Sequence, residues 1–301
     1  MTPSPVIAVV GPTASGKSEL SLDLAQRLGG EIVNTDAMQV YRGMDIGTAK
    51  LPLAERRGIP HHLLDTLTVR DPATVAEFQR WARAAIEELR GRGVPPILVG
   101  GSALYTRAIL DEFEFPGTDP EVRRDLEAEL DALGSGALHD RLRELDPAAA
   151  AQIIPGNGRR IVRALEVIAI TGRPFSASLP RLEYAVPNAH QIGVAIDRPM
   201  LDERIGLRVD KMFAAGFVDE VARLLDEGLA EGRTASRAIG YREVIAHLAG
   251  DLTLDEAKEQ TKTATRRFSR RQDSWFSKDP RIHWVPWDAA DRVDQALRSC
   301  V

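Results

Sequence analysis

A short glycine-containing loop between an apolar run and a helical pattern constrains the fold of this chain more than any other feature. The loop consists of Gly11, Pro12, Thr13, Ala14, Ser15, Gly16, Lys17 and Ser18. Its order fits the pattern G-x-x-x-x-G-K-[ST], which places backbone N–H groups around phosphate oxygens at the N-terminus of a helix. The Lys17 ammonium adds a positive charge, and the Ser18 hydroxyl is a candidate ligand for Mg²⁺. The sequence therefore predicts a site for phosphate or pyrophosphate.

Strand and helix patterns alternate on both sides of this loop. The apolar run Val6 to Val10 predicts a buried strand, and residues 31–36 and 95–101 predict two more. Helical spacing of apolar residues separates these strands, and Asp71 with Pro72 predicts the N-cap and first turn of the second helix. Strands that alternate with helices indicate a parallel sheet covered by helices.

The pattern changes after Pro116, where helix and turn signals follow without a strand pattern until strand character returns at residues 191–196. The predicted fold class is therefore α/β, with a P-loop-type parallel sheet core made of residues 1–115 and 190–301. A helical insertion domain of residues 116–189 interrupts that core.

Composition favours one cellular compartment but does not decide whether the chain binds a nucleic acid. The net charge is −5, yet residues 258–281 hold eight Lys or Arg against three acids, and residues 141–181 hold seven Arg against three acids. Each basic stretch either contacts the phosphates of a nucleic acid or forms a solvated helix face. The one cysteine, Cys300, excludes an intramolecular disulfide and a multi-cysteine zinc site. No apolar run approaches the roughly 18 residues of a membrane span, and no signal peptide is recognisable, so we expect a cytoplasmic protein.

An acidic residue at the end of one predicted strand is a candidate for chemistry. Motor and switch nucleotidases usually carry an acid at the end of a second apolar strand, but the strand at 95–101 ends in Gly-Gly-Ser. The nearest replacement is Asp36. Because the carboxyl ends of parallel strands open onto one crevice, we expect Asp36 and Ser102 to lie beside the phosphate loop. Each has a structural alternative, since Asp36 can cap a turn and Ser102 can cap the next helix.

Several longer segments resemble one enzyme family in their order along the chain. They are GPTASGKS (11–18), DAMQVYRGMDIGTAK (36–50), PHHLLD (60–65), LVGGSALY (98–105), DPEVR (119–123), RRIVRALEV (159–167) followed by TGRPFS, and IGYREV (239–244). Together they resemble the tRNA dimethylallyltransferases, also called tRNA isopentenyltransferases. The resemblance implies transfer of a dimethylallyl group from dimethylallyl diphosphate to N6 of the adenosine just 3′ of a tRNA anticodon. Pyrophosphate leaves with the assistance of Mg²⁺, and no obligate protein partner is implied.

The resemblance also implies roles for particular residues. Asp36 is implied as the general base, because the lone pair of the adenine amine is delocalised and a carboxylate must take its proton. Lys17 faces the leaving group, and Arg204 and Arg208, four apart on a helix, are candidate pyrophosphate clamps, with Arg208 preferred as the catalytic one. Ser102 stands where the family usually has threonine and is expected to contact the adenine. The residues expected to contact tRNA are Asp36, Ala37, Met38, Gln39, Ser102, Arg123, Arg159, Arg160, Ile161, Val162, Arg163, Arg237, Gly240, Tyr241 and Arg242.

Three other functions are compatible with parts of this pattern. A small-molecule or nucleoside kinase would use the same phosphate loop and would require ATP. A prenyltransferase that acts on a free adenine nucleotide would have no use for the predicted insertion. A non-catalytic RNA-binding switch would change its RNA affinity with a bound nucleotide and perform no chemistry.

Overall fold

The computed structural model describes residues 4–113, 115–178 and 182–300, and the chain divides into two compact units. The first unit comprises Met1–Leu110 and Tyr184–Val301, and the second unit is Asp111–Glu183. Both boundaries of the second unit lie five or six residues before those of the predicted insertion at 116–189. Its C-terminal boundary comes earlier because the N–H groups of Ala185 and Val186 donate to the Leu110 carbonyl, at 2.8 and 3.1 Å, and tie that segment to the first unit.

One sheet organises the first unit. Within the described residues its strands are β1 (Val6–Val10), β2 (Glu31–Asn34), β3 (His61–His62), β4 (Pro96–Val99), β5 (Ala189–Ala195) and β6 (Ile282–Pro286). Their spatial order is β3-β2-β4-β1-β5-β6, and every neighbouring pair is parallel, which confirms the predicted parallel sheet. β1 lies between β4 and β5, with Val9 opposite Val99. The segments that follow β1, β2 and β4 therefore emerge at the same edge of the sheet.

Helices cover both faces of this sheet, because every residue of β1 is buried and successive side chains point to opposite faces. Val6, Ala8 and Val10 belong to one apolar cluster, and Ile7 and Val9 belong to another. The helices of the first unit are α1 (Lys17–Leu28), α2 (Val75–Gly91), α3 (Ala103–Leu110), α7 (Arg198–Ala214), α8 (Phe217–Asp226), α9 (Tyr241–Leu248), α10 (Leu254–Phe276) and α11 (Arg292–Arg298). Those of the second unit are α4 (Pro120–Leu145), α5 (Pro147–Gln152) and α6 (Gly158–Thr171).

The beginning of α2 differs from the prediction. Thr74 is its N-cap, and the Thr74 hydroxyl accepts a hydrogen bond from the Glu77 N–H at 3.2 Å. Asp71, which was predicted to cap this helix, instead accepts from both the N–H and the hydroxyl of Thr68. The prediction at Asp71 is wrong because its carboxylate closes a turn just before the helix.

The second unit has an apolar core of its own. Leu138, Leu142, Ile161 and Leu165 from α4 and α6 are buried together. Gly134 has a φ of 80°, which interrupts α4 and divides it into two helical segments. Across the parts of the chain that the structure describes, none of the helices combines the length and the apolar character needed to cross a membrane.

Candidate active site

The phosphate loop connects β1 to α1 in the predicted position. Gly11 and Gly16 have φ values of 135° and 100°, which side chains larger than hydrogen rarely adopt, so both glycines are required by the backbone. The loop closes on itself, since the Ser15 N–H and the Lys17 ammonium both donate to the Pro12 carbonyl, at 3.3 and 2.6 Å. The Ser15 hydroxyl is buried and has no hydrogen-bond partner among the described residues.

A cavity of about 910 Å³ opens beside this loop, within the first unit. Its lining includes the cations Lys17, Arg204, Arg208 and Lys211 and the carboxylates Glu19, Asp45 and Glu55. The lining also includes Ser18 and a set of apolar residues: Leu22, Ile46, Leu51, Leu207 and Met212. Cationic and apolar side chains in one cavity suit an anion that carries a short hydrocarbon group.

Two cations of the site stand close together, and their environment changes their acidity. Burial, together with the neighbouring Arg208 guanidinium, lowers the pKa of Lys17 to about 7 against the opposing effects of Asp36 and Asp273. Burial also lowers the pKa of Arg208, while the Asp36 carboxylate raises it. Arg204 stacks on Trp287 with its guanidinium carbon 4.6 Å from the ring centroid. The three cations thus concentrate positive charge where an anionic ligand would relieve their mutual repulsion.

Asp36 follows β2 and is held by its own backbone neighbourhood. Its Oδ1 accepts from the Met38 N–H at 2.8 Å, and its N–H donates to the Asn34 side chain at 2.9 Å. Within the described residues no hydrogen bond reaches its Oδ2. The structure therefore shows the turn-capping role considered from the sequence, and it leaves one carboxylate oxygen available. Of the adjacent residues expected at this site, Ala37 and Met38 are half-buried, and Gln39 donates to the Thr48 carbonyl at 3.1 Å.

Ser102 follows β4 and also has a structural role. Its carbonyl accepts from the Thr106 N–H at 3.0 Å, and the Tyr105 N–H approaches its hydroxyl at 3.4 Å, so it begins α3. The turns after β2 and β4 touch, because a Cβ on Gly100 would lie 2.1 Å from the Thr35 hydroxyl oxygen. The structure thus brings Asp36 and Ser102 to adjacent turns beside the phosphate loop, as the parallel sheet predicts.

α10 supplies two residues that the sequence analysis missed. Gln272 contacts both the phosphate loop and the turn after β4, and Asp273 is an electrostatic neighbour of Lys17. Burial raises the pKa of Asp273 against the effect of Arg198, whose guanidinium lies 3.8 Å away. No feature of the sequence indicated that these two residues belong to the site, because both lie within a basic stretch that is typical of a solvated helix.

The arginines of the second unit that were predicted to contact tRNA fall into two groups. Arg123 and Arg163 both pair with the buried Glu166. Burial raises the pKa of Glu166, but the two guanidinium groups lower it more, so that the pKa lies below its usual value. Arg159 and Arg160 are exposed. Their guanidinium groups have no ion pair among the described residues, so they are accessible to a ligand.

Two residues of the same segment were assigned to tRNA contact and are instead part of the core of the second unit. Ile161 and Val162 are 0% and 1% exposed. Their assignment is corrected because the helical period of α6 turns these two side chains inward while it turns Arg159 and Arg160 outward.

The IGYREV segment is likewise divided between surface and core. Arg237 and Arg242 are exposed, although Arg242 pairs with Glu243 at 2.6 Å. Gly240 and Tyr241 are buried, and the Tyr241 hydroxyl donates to the Glu220 carboxylate at 2.6 Å. The predicted tRNA contact of Tyr241 is therefore corrected to an internal hydrogen bond, because its polar atom is already used by a buried carboxylate.

A resident metal centre made only of protein side chains is not found in the described part of the chain, where no group of three or more His, Cys, Asp or Glu residues is arranged to hold an ion. Ser18 lies in the cavity wall and supplies one hydroxyl. A single protein hydroxyl fits Mg²⁺, because proteins usually bind this ion through few side chains while substrate phosphate oxygens and water supply its other ligands.

Known proteins resemble this chain in sequence over nearly its whole length. The sequence model of the family described as IPP transferase matches residues 39–279. The tRNA dimethylallyltransferase of Nocardioides sp. (strain ATCC BAA-499 / JS614) is 75% identical over 294 residues, covering 98% of this chain and 95% of that protein. The tRNA dimethylallyltransferase of Streptomyces coelicolor is 62% identical over 293 residues, covering 97% and 94%.

Solved structures extend the likeness to the whole fold. The tRNA isopentenylpyrophosphate transferase of Bacillus halodurans superposes with a TM-score of 0.71 at 38% identity, covering 98% of both chains. A eukaryotic dimethylallyltransferase that acts on tRNA superposes with a TM-score of 0.82 at 27% identity, covering 98% of this chain and 77% of that one. These matches span nearly all of the chain and confirm the resemblance drawn from its motifs. The chain belongs to the IPP transferase family.

Proposed function

We propose that this chain transfers a dimethylallyl group from dimethylallyl diphosphate to N6 of the adenosine just 3′ of the anticodon in tRNA and releases pyrophosphate. The observation that carries the proposal is the cavity lined by Lys17, Arg204 and Arg208, with Asp36 close enough to influence two of these cations electrostatically. The family membership and the names of the relatives support the same reaction. We assign the reaction to the cytoplasm.

On the donor side, the loop N–H groups, Lys17, Arg208 and Arg204 bind the diphosphate. The bond between the allylic carbon and the diphosphate oxygen breaks, and its electron pair leaves with pyrophosphate. Fixed positive groups stabilise this departing charge more strongly in a protein cavity than water does. Mg²⁺, held by the Ser18 hydroxyl and phosphate oxygens, would supply further charge neutralisation when bound. The apolar side chains of the cavity lining, among them Leu207 and Met212, receive the dimethylallyl group.

On the acceptor side, N6 of the adenine forms the new bond to the allylic carbon. The amine loses a proton in the process, and the free carboxylate oxygen of Asp36 takes it. Ser102, on the adjacent turn, offers a hydroxyl to the adenine. Because the target base is stacked in free tRNA, it leaves the stack to reach these groups.

The tRNA itself is bound by exposed cationic side chains. Arg159 and Arg160 in the second unit are the best supported of these, since both are exposed and unpaired among the described residues. Arg237 and Arg242 in the first unit are exposed as well. Such contacts to phosphates orient the RNA without selecting its sequence.

The experiment that tests this function is direct. The protein is incubated with unmodified tRNA, dimethylallyl diphosphate and Mg²⁺, and the tRNA is then digested and analysed by mass spectrometry for prenylated adenosine. We expect prenylated adenosine and pyrophosphate in equal amounts without ATP. A product that requires ATP and carries a phosphoryl group would instead support the kinase alternative, and free adenosine monophosphate as the better acceptor would support a nucleotide prenyltransferase.

A further inference from the structure

We infer that Gln272 is a positioning residue for the proposed transfer, because its side-chain amide sets the spacing between the phosphate loop and the turn after β4. The first of these segments binds the donor and the second carries Ser102 on the acceptor side. The inference rests on the proposed function and adds to it a residue far from both segments in sequence.

The contacts of Gln272 are direct and buried. It lies near the C-terminal end of α10 and is 6% exposed. Its Oε1 accepts a hydrogen bond from the Thr13 N–H at 2.8 Å, and its Nε2 donates to the Gly101 carbonyl at 2.7 Å. One side chain of α10 therefore connects the phosphate loop with the turn after β4, although both segments are distant from α10 in sequence.

Glutamine is the residue type that these two partners require. The Thr13 N–H can only donate and the Gly101 carbonyl can only accept, so the amide of Gln272 has one possible orientation. An ionised glutamate at this position would accept from Thr13 but would turn an oxygen toward the Gly101 carbonyl. A methionine has a similar length and would leave both backbone groups without a partner.

The turn after β4 packs closely against this amide. A Cβ on Gly101 would lie 2.2 Å from the Gln272 Nε2. On its other side the turn meets Thr35, the residue before Asp36, through the contact at Gly100 described above. The amide of Gln272 thus connects the phosphate loop to a turn that also packs against the segment holding the proposed base.

This connection explains how a buried side chain outside the lining of the described cavity affects the reaction. The donor carbon and the acceptor nitrogen must approach within bonding range, and a displacement of about 1 Å costs on the order of 100-fold in rate. Loss of the amide lets the two segments shift relative to each other, while each segment keeps its own substrate-binding groups. The expected signature is a lower kcat with little change in either KM.

The test compares Gln272→Met with a matched control, Gln295→Met, whose side chain donates to Asp291, the N-cap residue of α11. Single-turnover prenyl transfer and both KM values are measured at a temperature at which circular dichroism shows each variant folded. We expect the rate constant of Gln272→Met to fall about 10- to 100-fold, with both KM values within about 3-fold of wild type and Gln295→Met unchanged.

Two further variants keep the inference testable if Gln272→Met does not fold. Gly101→Ala places a methyl carbon against the Gln272 amide and should lower the rate in the same way. Gln272→Glu offers both a donor and an acceptor only when protonated, so its rate relative to wild type should rise as the pH is lowered.

The possible failures are distinguishable. Full rates in Gln272→Met or in Gly101→Ala, with an active wild-type enzyme, would overturn the positioning role alone. A melting temperature that falls while the rate constant of the folded variant is unchanged would likewise reduce Gln272 to a purely structural residue. A wild-type protein without prenyl transfer would overturn the proposed function and this inference together.

Discussion

At the scale of single residues, the charge on Lys17 depends on whether the site holds an anion. The ordinary pKa of a lysine is 10.5, and burial with Arg208 nearby lowers that of Lys17 to about 7. Lys17 is therefore cationic below pH 7 and loses its proton as the pH rises through 7. A bound diphosphate favours the cation, so binding above pH 7 is coupled to proton uptake.

We expect pyrophosphate binding at pH 8 to take up close to one more proton in wild type than in Lys17→Arg, whose guanidinium stays charged. Isothermal titration calorimetry in two buffers of different ionisation enthalpy, without Mg²⁺, measures this difference. Because pyrophosphate itself titrates in this range, the variant serves as the control for the ligand. Equal proton uptake by the two proteins would contradict a lowered pKa at Lys17.

Asp36 is the second residue whose chemistry can be tested by itself. Asp36→Asn keeps the oxygen that accepts from the Met38 N–H and removes the base, so the turn should persist. We expect the rate constant for prenyl transfer to fall about 10²- to 10⁴-fold with tRNA affinity retained. Single-turnover assays and filter binding measure the two quantities, and the exposed Asp226→Asn is the control. A rate within about 3-fold of wild type would make Asp36 structural only.

At the scale of elements, one carboxylate on α8 holds the loop that follows β2. Glu220 is 6% exposed and accepts from three successive N–H groups, those of Asp45, Ile46 and Gly47, at 3.0, 2.7 and 3.2 Å. It also accepts from the Tyr241 hydroxyl at the beginning of α9, and burial next to this carboxylate raises the Tyr241 pKa. Two segments that resemble the family thus meet here in a structural contact.

We expect Tyr241→Phe to lower the free energy of unfolding by about 1.5–3 kcal/mol, because it removes a buried hydrogen bond to a charged group. Chemical denaturation measures the change. The control Glu227→Gln, which breaks only an exposed pair with Arg223, should cost less than about 1 kcal/mol. If Tyr241→Phe instead left stability intact and weakened tRNA binding, the contact to tRNA assigned from the sequence would be restored.

At the scale of the whole molecule, the two units carry different functional groups. The first holds the phosphate loop and the cavity, while the second presents Arg159 and Arg160 at the beginning of α6. This distribution supports a division of labour in which the first unit performs chemistry and the second binds phosphates of the RNA. The tRNA contact predicted for Arg159 and Arg160 stays open to the following test.

Replacement of Arg159 and Arg160 by Ala should reduce the slope of log affinity for tRNA against log salt by about two and spare pyrophosphate binding. A salt titration of tRNA affinity measures the slope. The control Arg27→Ala/Arg298→Ala removes the same charge from exposed positions of the first unit. An unchanged slope would mean that the two arginines are only a solvated face, and loss of pyrophosphate binding would place them in the reaction centre.

The phosphate loop, the parallel sheet and the shared position of Asp36 and Ser102 could be predicted from the sequence. Each depends on neighbouring residues or on a regular period: a loop of eight residues specifies its own N–H geometry, and parallel strands bring their carboxyl ends together. The predicted family was recognisable for a related reason, since its motifs are contiguous segments in a constant order.

The tertiary structure alone decided which side chains of those segments face the site. Thr13 and Gln272 are joined by a hydrogen bond although 259 positions separate them, and no local pattern indicates that partner. Tyr241 and Ile161 were assigned to tRNA by their motifs, whereas packing turned both toward the interior. The physical reason is that burial and hydrogen bonding between distant elements depend on how complete helices pack, and the spacing of residues within one segment does not contain that information.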